Sequence, residues 1–168
     1  VNVPKAVEIA IATMLRKREL GAGVMVRPWQ SLKWDGSFKP TADAVFPCVD
    51  VRCSPPRATS DGDPTMICDC SILCASLVDE DRDHAVISRM YGEVQAACDA
   101  IYAQFKADMV GVDIAAFLAA ITTALGSEGA IFSFGGFILG DPSPPFDDAG
   151  KNMIGFSVQV HYSRSDFN

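Results

Sequence analysis

The segment Thr65-Met-Ile-Cys-Asp-Cys-Ser-Ile-Leu-Cys-Ala-Ser-Leu-Val78 constrains this chain most. Met66, Cys68, Cys70, Ile72, Cys74 and Val78 fall on alternate positions, the period that puts side chains on one face of a β-strand. A strand of this length needs partners along its edges and a cover for its apolar face. The run Asp79-Glu-Asp-Arg-Asp83 ends it and supplies a cap and an acidic first turn for a following helix. Ile87, Met90, Val94, Ala97, Ile101 and Phe105 then recur at helical spacing, so the cover follows directly in the chain.

The flanking sequence supplies the remaining elements. A first helix is expected from about Val3 to Leu20, capped by Asn2, with Pro4 in its first turn and Gly21 as its stop. Val24 to Val26 reads as a short strand. Val45 to Cys53 reads as another, with Val49, Val51 and Cys53 alternating with Asp50 and Arg52; Pro47 suggests an edge or the strand's start. A third helix is expected over Asp113 to Leu125, capped by Asp113. Two strands close the chain, Ala130 to Leu139, where Gly135-Gly136 marks a bulge or a close backbone approach, and Met153 to Ser163 with clean alternation from Ile154 to Tyr162. Ser54 to Pro64 and Gly140 to Gly150 read as long polar loops. Helix, strands, two helices, two strands imply an α+β fold: one domain over residues 1–168, a mainly antiparallel sheet with two or three helices on one face.

The chemistry such a chain can carry is narrowed by composition. Of 168 residues, 49% are hydrophobic, enough for a substantial core, yet no apolar run approaches the roughly 20 residues that span a bilayer. Lys5 and Glu8 interrupt the N-terminal apolar stretch, and its basic cluster follows it, which argues against a signal peptide and for synthesis in a cytoplasm. A net charge of −7 argues against nucleic-acid binding, since phosphate contacts need Lys and Arg. Six cysteines, at 48, 53, 68, 70, 74 and 98, are expected as reduced, buried apolar residues without metal. Neighbours two apart in one strand point the same way but stand too far apart to bridge.

Catalytic candidates are few. Cys68-x-Cys70-x-x-x-Cys74 lacks zinc-knuckle spacing, though Cys48 and Cys53 leave a thiolate cluster conceivable. His84 beside Asp81 and Asp83, and His161 on the wet face of the last strand, are expected to face solvent. Asp79, Glu80, Asp81 and Asp83 lack the glycine and distal glutamate of a calcium loop. No catalytic, cofactor or metal residue is therefore assigned, and the chain is expected not to be an enzyme. Trp29 and Trp34 sit in a Pro- and Gly-punctuated stretch, where they either cover a core edge or anchor an interface.

The long strand Met66 to Val78, the acidic break, the helix through Ile101 and the late strand Ile154-Gly-Phe-Ser-Val-Gln-Val-His-Tyr162 form a layout. It is preceded by a leading helix and a short strand. This layout resembles the tail-terminator and tail-completion proteins of long-tailed bacteriophages. The resemblance covers most of the chain as a pattern of elements, with Asp113 to Gly126 outside it. It implies a virion protein forming a ring, usually of six subunits, which caps the head-proximal end of the tail tube and joins it to the head connector. The implied partners are further copies of the chain, tube protein and connector protein, with DNA passing through unbound and no membrane. The expected contacts are Trp29, Trp34, Pro55, Pro56, Arg57, Asp61, Asp63, Asp141, Pro144, Pro145, Phe146 and Asp147, with the loops Ser54–Pro64 and Gly140–Gly150 mobile in the free subunit. A head–tail adaptor or tube subunit is the nearest alternative. A small enzyme or metal-binding domain using the cysteine-bearing strand, with a pocket of Cys68, Cys70 and His161, is the alternative of another kind.

Overall fold

The computed structural model describes residues 2–21, 23–28, 46–60, 64–77, 81–142, 146–148 and 151–164. Its elements are α1 (Val3–Arg16), β1 (Met25–Pro28), β2 (Cys48–Cys53), β3 (Arg57–Ala58), β4 (Thr65–Leu77), α2 (Asp81–Lys106), α3 (Val112–Leu125), β5 (Phe132–Pro142), β6 (Phe146–Asp148) and β7 (Lys151–Arg164). The fold is α+β, as the sequence implies. The sheet is mixed: β1 runs parallel to β2, while every other pairing among the described residues is antiparallel. β2 is consequently an inner strand covered by the short β1, and Pro47 stands just before its start at Cys48, the second of the two positions it suggests.

The centre is the pair β4–β7, in unbroken register from Thr65 opposite Ser163 to Leu77 opposite Lys151. β2 lies beside β4 and β5 beside β7, giving the order β1-β2-β4-β7-β5. Alternation along these strands divides the sheet into two faces. Val49, Val51, Cys68, Ile72, Val158 and Val160 are buried in one cluster with Val7, Ile11 and Leu15 of α1, Met90 and Ile101 of α2, and Phe117 of α3. The other face carries a smaller cluster of Cys48, Leu73, Ala75 and Met153. Phe117 meets Phe134 and Phe137 of β5 edge-on, which seats α3 at the β5 side of the core.

Several boundaries follow from local chemistry. The Asn2 side chain accepts the Lys5 N–H at 3.1 Å, the expected cap. α1 ends at Arg16, with Lys17 as its C-cap, short of Gly21. Gly111, not Asp113, caps α3, and a 3₁₀ turn (Gly126–Ile131) delays β5 to Phe132. The expected bulge at Gly135-Gly136 is present: register shifts between Phe134 and Gly136. Val78, at the expected end of the long strand, lies outside the described residues, as does Val45.

The expectation of six reduced cysteines is overturned. Cys53 and Cys70 form a disulfide, leaving Cys48, Cys68, Cys74 and Cys98 free and buried. Same-strand neighbours such as Cys68 and Cys70 indeed cannot bridge. Cys53 and Cys70, however, stand opposite each other across β2–β4, with Cα atoms 4.0 Å apart. The Ser54 N–H donates to the Asp69 carbonyl at 2.8 Å, which makes the next pair the non-hydrogen-bonded kind, where side chains approach closest.

Candidate assembly interface

Each of the two segments expected to be loops carries a short strand. β3 pairs with β4 at Arg57–Ile67 and Ala58–Met66, on the edge of β4 that β2 occupies further along. β2 and β3 thus form one interrupted strand, broken at Ser54-Pro55-Pro56. Two successive prolines remove the N–H groups a continuous ladder would need. The late segment repeats this arrangement. β5 pairs with β7 as far as Pro142–Phe156, and β6 resumes at Phe146–Met153 and ends at Asp148–Lys151. Only Ala149 and Gly150 separate that last pair, so β6 and β7 form a hairpin with a two-residue connection.

These interrupted strands mark opposite ends of the central pair. β3 lies at the start of β4, and β6 lies opposite its end, at the start of β7. β3 lies opposite Met66 and Ile67, and β6 is level with Ala75 to Leu77, so the two are about 30 Å apart at ~3.3 Å per residue. The expected contact residues of the two loop segments therefore fall in separate places along the central pair. Pro55, Pro56 and Arg57 belong to the β3 end. Phe146 and Asp147 of β6 belong to the other, whereas the exposed Asp141 precedes Pro142, which pairs with Phe156 in line with Ile72, near the middle of β4. Trp29, Trp34, Asp61, Asp63, Pro144 and Pro145 lie outside the described residues.

The β3 end is held by polar contacts. Arg57 Nε donates to Asp69 Oδ2 at 2.7 Å, and Gln159 Nε2 donates to Asp69 Oδ1 at 2.9 Å. The Arg57 guanidinium holds the Asp69 carboxyl below its ordinary range, with help from Gln159 and the nearby His161. The Thr59 N–H closes the turn on the Thr65 carbonyl at 3.1 Å. Beneath it, the buried Glu8 of α1 accepts the Cys53 N–H at 2.9 Å and pairs with Lys5 at 2.8 Å. β1 reaches only as far as Pro28 opposite Val51, so Glu8 supplies the acceptor that β1 does not. Asp69 was missed as an anchor in the sequence, although an acidic residue on the wet face of a long strand beside a short basic one is the usual cross-strand signal.

The geometry separates the groups a small enzyme would use. Cys68 and Cys70 lie on the helix-covered face, and His161 lies on the other, paired with Ile67 and packed beside Gly136. No shared pocket of Cys68, Cys70 and His161 forms. His161 is half-buried, contrary to the expected solvent-facing ring, and its Nε2 is buried without a hydrogen-bond partner among the described residues. Cys48 and Cys74 lie on opposite faces, so the five strand cysteines do not converge on one ion. Burial pushes the thiols of Cys68, Cys74 and Cys98 up to about 12, which keeps them protonated and weakly nucleophilic. Side chains of the acidic run Asp79 to Asp83, and of His84, lie outside the described residues.

Compared with known proteins, the chain matches no protein-family model, and no curated protein matches it.

Proposed function

We propose that the chain is a structural virion subunit of the tail-terminator type: copies close into a ring on the head-proximal end of a tail tube and join it to the head connector. The observation that carries this reading is the placement of the two interrupted strands. One subunit presents two docking ends, about 30 Å apart, on a stiff, fully registered strand pair. A part set between a tube and a connector needs two such ends. An acidic subunit also lines a DNA passage without holding phosphate, and the net charge is −7. A head–tail adaptor or tube subunit would use the same ends with other neighbours.

Carboxylate footprinting on the free subunit and on subunits bound to cognate tail tubes tests the two-ended arrangement. Asp69 reports on one end, and Asp147 and Asp148 of β6 on the other. Protection of one end by the tube, and of the other once connector is added, is expected. Labelling unchanged at both ends would overturn the reading.

A further inference from the structure

The helix α3 is nearly uncharged: of its 14 residues, VDIAAFLAAITTAL, only Asp113 is charged. It buries Ile114, Phe117, Ile121 and Leu125. At 100° per residue the opposite side carries Val112, Ala115, Ala119 and Thr123, all exposed. A helix face left in water ordinarily carries charge, and this one carries none. The patch continues into the preceding turn, where Val112 is 81% exposed, Val110 71% and Met109 41%.

That turn is firmly built. Asp108 and Met109 hold φ at 58° and 62°, the left-handed region that side chains rarely adopt. Gly111 caps the helix without a side chain. Gln104 takes over the capping role, accepting the Ile114 N–H at 2.9 Å and donating to Asp113 at 2.8 Å. The apolar side chains therefore stand outward on a fixed backbone, and docking them orders little that is not already ordered.

We propose that this surface pairs with the same surface of a second copy of the chain, the two α3 helices running antiparallel about a two-fold axis. Charge selects this occupant. Copies of a chain with net charge −7 repel except where they meet on an uncharged face. Nucleic acid or an anionic membrane would need a cluster of cations, and α3 carries none. Antiparallel pairing also sets Lys106, at the Met109 end of the patch, toward the C-terminus of the other copy's α3. The last turn of that helix carries no basic residue to meet its carbonyl dipole. Size sets the strength. A helix of 14 residues is about 21 Å long, and its alanines allow an axis separation of about 8 Å. The pair buries on the order of 1,000 Å² in total, at the low end for a specific contact, so it is reversible. It involves no tail component and does not depend on the terminator reading.

Sedimentation of the isolated chain across a concentration series tests it. The mass rises from 18.0 kDa toward twice that value, and Ala119→Glu, at an exposed position a helix tolerates, stays monomeric. Ala119→Cys cross-links to its own copy under mild oxidation, whereas Ala115→Cys cross-links only to Thr123→Cys. A wild-type chain monomeric at every concentration, a dimer that Ala119→Glu leaves intact, or self-linking of Ala115→Cys would overturn the proposal.

Discussion

At the scale of single residues, the cysteines give a direct expectation. Denatured without reductant, the chain should show the four free thiols of Cys48, Cys68, Cys74 and Cys98, with Cys53 and Cys70 appearing only after reduction. Thiol titration checks the count. The bridge closes a sequence separation of 17, so Cys53→Ser with Cys70→Ser should lose about 3 kcal/mol of stability through loop-closure entropy, read from a denaturant midpoint. Asp69 makes a pH expectation. Arg57 holds its carboxyl below the ordinary value, so the contribution of the pair is present above that ordinary value, about 4, and is lost as pH falls through the folded-state value. Amide exchange at Thr59, which closes the β3 turn, should therefore speed up on acidification, and Asp69→Asn should make it fast at neutral pH as well. The pair is half-exposed, and global stability should move little.

Elements differ in how far the chain announces them. The corner between α2 and α3 is an instructive case. A side chain at Gly111 would collide with Gln104, and its φ of 153° is also strained for other residues. Gly111→Ala should displace Gln104 and free the Ile114 N–H, at a cost of about 2 kcal/mol. Gln104→Ala, which removes only the cap, should cost about 1 kcal/mol. Thermal or denaturant melts separate the two. The sequence signalled α3 through Ile114, Phe117, Ile121 and Leu125, but it offered Asp113 as the cap, because the real cap lies on another helix. β4 and β7 were legible because Met66 to Cys74 and Ile154 to Tyr162 each alternate over nine residues. β3 and β6, of two and three residues, were not, because segments that short show no period and Pro, Ser and Asp around them read as loop. The contact residues were read as belonging to two segments. That the segments occupy opposite ends follows from the β4–β7 register, which no local pattern encodes. The disulfide was hidden for the same reason, since Cys53 meets Cys70 only once β2 and β4 are in register.

For the whole molecule, the proposed role joins a rigid centre to two separated ends. The core cluster spans α1, α2, α3 and the inner sheet face, so the central strands can transmit contact at one end to position at the other without bending. The acidic balance limits where further copies or partners can approach, and it suits a part through which nucleic acid passes without adhering. The central claim is that this chain assembles on tail tubes and stops them. Its most direct test is to mix the purified chain with cognate tail tubes, image the tubes and weigh the bound species by native mass spectrometry. A closed ring on one end only, with tube growth arrested there, is the expected result. A chain that stays monomeric and never binds tubes would contradict it.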